Sequence, residues 1–386
     1  MLIFVIPSSY PNSKNVQANI FVHEQCLALK KQGCEIIVLD ATSYRFKYWF
    51  DKSCRRIIKD TLDGITVYRK HIPSILTTKL YRLSVLQNRH VITELFNRAV
   101  KDFGMPDLIY AHFTYSAGYV SCELAKKHNI PLVVMEHGGI FMQPDVPSYL
   151  KKILTKTVDS ADMFACVSEA QRNCIYRCFD SKKEIKIINN MINDIFTYHP
   201  LEKKTPFTVF SAGNLYKVKR MDKLAEGFIK AFSADENATL RIAGEGAERT
   251  KIEAIIAKYG REKQIVLLGR LSREKVLEEC KGCHVFALVS EHESFGIAYR
   301  EALAVGRPVI SSDNGGINTG WKDEYGKIVP VDDTDALCTA LRNIRDRYDE
   351  YNLKQISDDC VNSYSSNSVA RRLISEFESV IKKQKS

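Results

Sequence analysis

The feature of this chain that most limits its fold is a regular alternation of short apolar segments with longer segments of helical spacing. Short apolar runs bounded by turn residues predict buried strands, and apolar residues spaced three and four apart predict helices. Strands that alternate with helices favour βαβ units and a parallel sheet. In the first half of the chain the predicted strands are residues 2–6, 35–39, 65–68, 107–111, 131–135, 163–167 and 185–188, with helices at 22–31, 93–101, 118–128 and 146–162.

The alternation is interrupted at residues 193–206, where prolines and lysines replace the apolar pattern, and we predict an interdomain linker there. A second alternation follows, with predicted strands at 208–212, 239–242, 265–268, 285–290, 308–311 and 327–329, and a last helix at 367–382. We therefore predict α/β domains at 1–195 and 205–365 and a C-terminal helix within 366–386. Such sheets bind ligands beyond the carboxyl ends of their strands, so we expect a cleft between the domains.

Two glutamates, Glu293 and Glu301, stand with seven residues between them at a predicted strand-to-helix turn. The intervening residues begin with a Ser-Phe-Gly step, and a helix is predicted from Ile297 onward. The N-terminus of that helix would present unpaired N–H groups and a partial positive charge, which suit a phosphorylated ligand. Because a helix rises ~1.5 Å per residue, the carboxylates would reach places on the order of 10 Å apart. A pair so spaced could contact both the sugar and the ribose of a nucleotide sugar.

This segment, with the Gly-Arg-Pro-Val-Ile strand and the Gly-Gly turn behind it, closely resembles the E-x7-E signature of the retaining GT-B glycosyltransferases of family 4. The resemblance implies a GT-B fold, an α/β architecture of two Rossmann-like, doubly wound parallel-sheet domains with a cleft between them. It also implies that the C-terminal helix within 366–386 crosses back to the first domain. It also implies that Glu293 is a catalytic residue at the transferred sugar and that Glu301 binds the ribose hydroxyls. The other donor contacts that it implies around this turn are Ser294, Phe295, Gly296 and Ile297.

Other turns of the second domain resemble donor-binding segments of the same family. The segment that begins at Gly213 resembles the family's G-R-L-x-x-x-K-G segment, and its Lys219 matches the lysine that grips the donor diphosphate. Asn214 stands where the family usually has arginine, which removes a guanidinium fork, and Lys217 or Arg220 is available to restore the charge. Cations are needed because negative charge builds on the diphosphate as the glycosidic bond breaks. The resemblance also implies backbone contacts with the donor phosphates at Gly244 and Gly246 and a base-binding turn at Arg270 and Leu271.

Two histidines end predicted strands of the first domain on the side of the expected cleft. The resemblance implies that His137 lies beside the transferred sugar in the catalytic site, and His112 is an acceptor-side candidate. For each histidine, a structural role is the competing interpretation. Residues 8–19 are expected to form the acceptor-side loop, with Asn19 as a further candidate. This loop lacks the glycine pair that the family often has, and Thr319 stands where many relatives carry glutamate.

Two patterns in the chain are spaced like cofactor or metal motifs. Residues 280–284 match the C-x-x-C-H of haem attachment, but they fall between a predicted helix and a buried strand, which favours a helix end. Residues 333–335 match a D-x-D metal motif, but they stand just ahead of a predicted helix, where carboxylates cap the N-terminus. We therefore expect no metal and no cofactor, with a nucleotide diphosphate sugar as the co-substrate.

The net charge of +10 indicates an anionic partner. Residues 44–56 interleave basic and aromatic side chains, which suits an interfacial segment on anionic lipid. A solvated basic face with a few core aromatics explains the same residues, and both interpretations stay open. The chain has no helix-turn-helix, zinc-finger or RNP motif, so we expect no nucleic acid partner. Because no apolar run approaches ~20 residues and the N-terminal run is short for a signal peptide, we expect a cytoplasmic protein, peripheral on the inner face of the membrane.

These features predict a retaining, metal-independent hexosyltransferase. It would move a hexose from a nucleotide diphosphate sugar to a hydroxyl of a glycan or lipid-linked acceptor in cell-surface polysaccharide biosynthesis. Two alternatives stay open. A sugar-nucleotide epimerase of the same fold would consume the donor without any acceptor. A catalytically silent binding subunit would agree with Asn214, whereas the intact Glu293, Glu301 and Lys219 favour an enzyme.

Overall fold

The computed structural model describes residues 1–13, 15–41, 43–44, 56–73, 81–142, 146–179, 182–201, 206–234 and 236–385. The chain forms two compact units. The first comprises Met1–Met191 and Ser366–Ser386, and the second comprises Ile192–Ser365. Most of the basic and aromatic stretch at 44–56, namely 45–55, lies outside the described residues, so its contact with a membrane surface stays a prediction.

The first unit is built around an 8-stranded sheet. Its strands, together with a separate short pair formed by β3 and β6, are β1 (Leu2–Ile6), β2 (Glu35–Asp40), β3 (Ser43–Tyr44), β4 (Ile58–Leu62), β5 (Ile65–Arg69), β6 (Ile72–Pro73), β7 (Leu108–His112), β8 (Leu132–Glu136), β9 (Met163–Cys166) and β10 (Ile185–Ile187). The strand order is β10-β9-β8-β7-β1-β2-β5-β4. The order therefore reverses between β1 and β7, and the carboxyl ends of these strands flank the point where parallel sheets commonly bind ligands.

Burial explains which strands of this sheet were predictable. Every residue of β7 and β8 is buried, as expected for parallel strands covered on both faces. β4 pairs antiparallel with β5 at the sheet edge, and its residues are almost all exposed. The sequence analysis missed β4 because it has no apolar pattern. The signal that was available is the turn at Asp63 and Gly64, whose φ values of 48° and 76° are those of a tight hairpin.

The helices of the first unit that precede Met191 are α1 (Ile20–Lys31), α2 (Tyr81–Phe103), α3 (Tyr119–His128), α4 (Ser148–Ser160) and α5 (Glu169–Cys178). The helix predicted at 93–101 is the second part of α2, which is 23 residues long. Polar and charged side chains interrupt the apolar pattern of every long helix. Across the described ranges, no helix combines the length and the apolar character needed to cross a membrane.

The second unit contains a 6-stranded parallel sheet. Its elements are β11 (Phe207–Ala212), α6 (Met221–Ala231), β12 (Ala238–Ala243), α7 (Arg249–Lys258), β13 (Ile265–Gly269), α8 (Arg273–Gly282), β14 (Val285–Leu288), α9 (Ile297–Ala304), β15 (Val309–Ser312), β16 (Gly326–Val329), α10 (Thr334–Asp346) and α11 (Leu353–Tyr364). The strand order is β13-β12-β11-β14-β15-β16. The reversal lies between β11 and β14, so the loops that follow these two strands flank the corresponding ligand position.

The last helix, α12 (Ser366–Lys385), belongs to the first unit although it follows the second in sequence. The Gln32 side-chain amide donates to Asn367 Oδ1 at 2.8 Å. The fully buried ring of Phe377 lies 5.0 Å, centroid to centroid, from Tyr110 of β7. The chain therefore returns to its first unit at its end.

Candidate functional site

Lys219 and Glu293 meet where the strand order of the second sheet reverses. Lys219 ends a short 3-10 turn on the loop after β11, and Glu293 lies on the loop after β14. Lys219 Nζ donates to Glu293 Oε1 at 2.5 Å, across 74 positions of sequence. The two side chains keep 24% and 12% of their surface exposed. The structure thus joins two residues that the sequence assigned to one site, and solvent can reach them.

Three contacts fix the position of Glu293. The Ser290 hydroxyl donates to Glu293 Oε1 at 2.9 Å, and the Glu293 backbone N–H donates to the Asn314 carbonyl at 3.2 Å. A Cβ added to Gly316 would lie 2.8 Å from Glu293 Cβ. The Gly-Gly turn therefore lets the loop after β15 approach the glutamate more closely than any side chain would permit.

Gly296 opens α9, as the sequence predicted. Its φ is 78°, in the left-handed region, and a Cβ there would lie 2.3 Å from the Tyr299 ring. Phe295 is buried, whereas Ser294, Gly296 and Ile297 are partly exposed. The first turn of α9 contains no acidic residue. The helix end therefore presents N–H groups and partial positive charge without a carboxylate of its own to neutralise them.

Glu301 lies inside α9 and is 4% exposed. Its Oε1 atom is 3.1 Å from Nη1 of Arg273, the first residue of α8. The turn before α8 holds Arg270, which is exposed, and Leu271, which is partly exposed. These residues follow β13 at the same edge of the sheet where the loops after β11 and β14 begin. The predicted ribose-binding and base-binding residues are thus neighbours through Arg273.

The glycines after β12 are required by the neighbouring loop. A Cβ on Gly244 would lie 1.9 Å from the Gly213 carbonyl oxygen, and one on Gly246 would lie 2.4 Å from the Leu215 carbonyl oxygen. The Leu215 N–H donates to the Glu245 carbonyl at 2.9 Å. Close packing of the two loops is a sufficient structural reason for both glycines. Their contact with donor phosphates stays a prediction.

Two cations were available to replace the arginine that Asn214 displaces. Arg220 already forms ion pairs with two carboxylates, because its Nη2 lies 2.8 Å from Glu291 Oε2 and its Nε lies 3.1 Å from Asp332 Oδ1. Lys217 is exposed, like Asn214 itself. Lys217 has no ion-pair partner within the part of the chain that the structure describes. Lys217 is therefore the better substitute for the lost charge.

The two predicted histidines of the first unit form a buried hydrogen-bonded chain. His112 ends β7 and His137 follows β8, and their Nδ1 and Nε2 atoms lie 2.9 Å apart. His137 Nδ1 lies 2.9 Å from Asn190 Oδ1. Because that amide oxygen can only accept, His137 carries its proton on Nδ1 and its Nε2 accepts from His112 Nδ1–H. Both nitrogens of His137 are therefore used within the protein.

Burial keeps both rings neutral. It lowers the pKa of His137 to about 3, although the hydrogen bond to Asn190 opposes the shift. Burial also lowers the pKa of His112 well below its ordinary value, and the neighbouring His137 adds to the effect. A charged imidazole would lose more hydration here than these partners return. At neutral pH this pair carries no charge.

A buried glutamate ties together the loops on either side of this pair. Glu136 accepts the Thr114 N–H at 2.9 Å, the Thr114 hydroxyl at 2.6 Å and the Gly138 N–H at 2.6 Å. Burial raises the pKa of Glu136, and these hydrogen bonds oppose the rise. Phe113, between the two histidine-bearing strands, has a φ of 72°, which is rare for a bulky residue. Such strain persists where surrounding contacts determine the backbone, as Glu136 does here.

Asn19 organises the loop after β1. Its side-chain amide donates to the hydroxyls of Ser8 and Ser9 at 3.1 and 2.9 Å, and its φ of 46° turns the chain into α1. The ring of Phe21, in the first turn of α1, lies 4.7 Å from His137. Asn19 thus shapes the predicted acceptor-side loop next to the histidine pair.

Sequence reasoning missed several residues that position the site, among them Ser290, Asn190 and Arg273. Ser290 is the last residue of a predicted strand, Asn190 lies two positions after another, and Arg273 is the first residue of a helix. Polar residues at those places were the available signal, because strand ends converge at one edge of a parallel sheet.

The two segments that match haem-attachment and D-x-D metal motifs, residues 280–284 and 333–335, have structural roles. Asp333 Oδ1 accepts the N–H groups of Asp335 and Ala336 at 3.1 and 2.8 Å and so caps α10, as predicted. Cys280 and Cys283 are buried, and burial raises the pKa of the Cys283 thiol to about 12. Among the described residues, no group of three or more His, Cys, Asp or Glu side chains is arranged to bind a metal ion.

The fold matches solved glycosyltransferase structures over nearly the whole chain. A sucrose-phosphate synthase from Thermosynechococcus elongatus superposes with a TM-score of 0.79 at 18% identity, covering 99% of this chain and 100% of that chain. Anabaena HepE in complex with UDP superposes with a TM-score of 0.73 at 16% identity, covering 98% and 99%. At these identities the likeness establishes the GT-B fold.

Sequence comparison gives the family. The model for "Glycosyl transferases group 1" matches residues 196–353, and the model for "Glycosyltransferase Family 4" matches residues 18–195. The N-acetyl-alpha-D-glucosaminyl L-malate synthase of Bacillus anthracis is 26% identical over 248 residues, which are 59% of this chain and 64% of that protein. The matched region thus spans just under two thirds of that relative. The two models together match residues 18–353, the fold is GT-B, and the chain belongs to the group 1 glycosyltransferases.

Proposed function

We propose that this protein transfers a hexose from a nucleotide diphosphate sugar to a hydroxyl of a glycan or lipid-linked acceptor, with retention of anomeric configuration. The observation that carries the proposal is the contact between Lys219 and Glu293 at the reversal of the second sheet. A cation there suits the leaving diphosphate, and a carboxylate suits the sugar that becomes electron-poor. Cell-surface polysaccharide biosynthesis at the cytoplasmic face of a membrane is the setting that we propose.

Lys219 acts on the leaving group. As the bond between the anomeric carbon and the phosphate oxygen breaks, its electron pair passes to the diphosphate. Lys219 Nζ and the N–H groups at the start of α9 stabilise that charge. Lys219 Nζ is paired with Glu293, so donor binding would exchange this carboxylate for the diphosphate as the partner of the cation.

Glu293 acts on the sugar. Its carboxylate accepts hydrogen bonds from sugar hydroxyls and stabilises positive charge at the anomeric carbon. The acceptor oxygen forms its bond to that carbon on the face from which the diphosphate departs, and the departing phosphate oxygen takes the acceptor proton. Bond making and breaking on one face retains the configuration without an enzyme nucleophile.

The histidine pair contributes as neutral groups. His137 is a poor general base because its pKa lies near 3 and both of its nitrogens are engaged. We propose that His137 and His112 shape the acceptor-binding part of the first unit. The charge on the diphosphate is met by Lys219, Lys217 and helix N–H groups, so we propose that transfer needs no metal.

Turnover of candidate donors tests the function. The protein is incubated with UDP-, GDP- and ADP-hexoses, with and without acceptor glycan, in EDTA and then in magnesium; the UDP complex of Anabaena HepE makes UDP-sugars the first choice. Acceptor-dependent release of nucleoside diphosphate in EDTA, with an α-linked product from an α-linked donor by NMR, supports the proposal. Donor consumption without acceptor would favour an epimerase, and no binding of any nucleotide would favour a silent subunit.

A further inference from the structure

Arg300 is a fully buried cation within α9, beside the donor loops. It is 2% exposed although arginine is among the residues least often buried. Its guanidinium donates to four backbone carbonyls: Nη1 to Phe295 at 2.6 Å, and Nη2 to Gly316 at 3.0 Å, Ile317 at 3.2 Å and Thr319 at 2.8 Å. The side chain therefore bridges the loop after β14 to the loop after β15.

These bonds orient the peptide that opens α9. The C=O and N–H groups of a trans peptide point in opposite directions. Because Arg300 Nη1 donates to the Phe295 carbonyl, the N–H of Gly296 in the same peptide points away from the guanidinium. Among the described residues, no acceptor binds that N–H. It remains free for an anionic ligand at the helix N-terminus.

The charge of Arg300 has no carboxylate partner within ion-pair distance among the described residues. Its guanidinium carbon lies 4.3 Å from the ring centroid of Phe295 and 5.7 Å from that of Tyr364. Burial lowers the pKa of the guanidinium. Burying a charge without a counter-ion is costly, and an apolar side chain would fill the same space more cheaply. An apolar side chain could not make the contacts with the carbonyls that fix the two loops, whereas arginine makes them.

We propose that Arg300 is a positioning residue of the donor site, which fixes the loop of Glu293 against the Gly-Gly turn and aims the Gly296 N–H at the donor diphosphate. The proposal rests on the proposed function, because it assigns the diphosphate as the ligand of that N–H. Arg300 acts through the backbone and does not itself contact substrate.

Arg307 provides a matched control. It is also fully buried, and it also donates to backbone carbonyls, at 2.9 Å to Cys280, 2.9 Å to His199 and 3.0 Å to Lys281. None of these carbonyls belongs to the loops after β14 or β15. Loss of Arg307 should therefore reduce stability in a similar way without altering the donor loops.

The test compares Arg300→Lys with Arg307→Lys. Lysine keeps the charge but loses the planar fork. Calorimetry measures Kd for UDP, GDP or ADP, whichever the wild type binds most tightly, and Tm is recorded in parallel. We expect Kd to rise roughly tenfold or more in Arg300→Lys, because a charge-assisted contact is misdirected. Both variants should lower Tm, while Arg307→Lys should leave Kd within about twofold.

Chemical rescue separates positioning from general stability. Arg300→Ala, with guanidinium ion supplied in the buffer, should regain nucleotide affinity, whereas Arg307→Ala should show no such response. If the lysine variant does not fold, Arg300→Gln serves in its place. An unchanged Kd in Arg300→Lys, or equal rises in both lysine variants, would overturn the role of Arg300 alone. A wild type that binds no nucleoside diphosphate would overturn the proposed function as well.

Discussion

The two sheets bring polar residues to equivalent places, but the chemistry at those places is opposite. At the strand ends of the second unit, Lys219 and Glu293 are a charged pair that solvent can reach. At the strand ends of the first unit, His112 and His137 are buried and neutral. The comparison shows that a position at a strand end determines where a side chain lies in the sheet. Burial then determines whether that side chain is charged or neutral.

This difference in burial separates residues that can bind a ligand from residues that stabilise the fold. A partly exposed ion pair contributes little to stability, so its charges remain available for a ligand. The buried histidines form hydrogen bonds with groups of the protein itself: His112 bonds to His137, and His137 bonds to Asn190. We therefore expect changes in the second unit to affect turnover most, and changes at the histidines to affect stability and its pH dependence.

The largest expected effect is on catalysis by the charged pair. Glu293→Gln keeps the shape but removes the charge that stabilises the sugar in the transition state, so we expect kcat to fall by about 10²- to 10³-fold. Steady-state release of nucleoside diphosphate measures the loss. Glu291→Gln, on the same loop but paired with Arg220, is the control and should retain most activity. Full activity in Glu293→Gln would remove this residue from the mechanism.

A smaller effect is expected at the other glutamate of the motif. Glu301→Gln weakens hydrogen bonds to the proposed ribose hydroxyls, so KM for the donor should rise about 10- to 100-fold with a smaller change in kcat. Initial rates at varied donor concentration give both constants. If kcat falls and KM stays constant, Glu301 does not bind the ribose.

The buried pair should give the protein a distinct response to acid. Both histidines have folded-state pKa values below the ordinary 6.5, so the unfolded chain binds more protons as pH falls from about 6.5 toward 3. The free energy of unfolding should then decrease with falling pH, by ~1.4 kcal/mol per pH unit for each histidine. Urea unfolding of wild type and His137→Gln at pH 7.5 and 5.5 measures the difference in slope. Equal slopes would mean that His137 is already a charged imidazolium in the folded state.

The smallest effect is expected outside both regions. Asp333→Ala removes the cap of α10 and should lower the free energy of unfolding by about 1 kcal/mol. Activity in EDTA and in magnesium should stay at the wild-type level, as measured by the same nucleotide-release assay. A loss of activity that magnesium reverses would instead assign Asp333 to a metal site.

The alternation of strands and helices predicted the two sheets because apolar period is a local property of sequence. The same local reasoning placed Gly296 at the start of α9 and Asp333 at the cap of α10, and the structure confirms both. Strand β4 was not predicted, because an exposed edge strand has no apolar pattern.

Asn190 and Arg300 were missed because their contacts are with other segments of the chain. Asn190 reaches His137 across 53 positions, and Arg300 binds carbonyls up to 19 positions away. No local pattern encodes which polar side chain will face which strand end. Arg300 did carry one signal, because it and Glu301 are two adjacent charged residues between Tyr299 and Ala302 in a helix that is otherwise apolar.

The measurement that tests the central claim most directly is calorimetric binding of UDP, GDP and ADP to wild type, Lys219→Ala and Lys217→Ala. The account predicts that wild type binds one of them without metal, and that Lys219→Ala weakens this affinity at least tenfold while Lys217→Ala weakens it less. Added salt should reduce the difference between wild type and Lys219→Ala. Equal affinity of wild type and Lys219→Ala would contradict a donor site at the contact between Lys219 and Glu293.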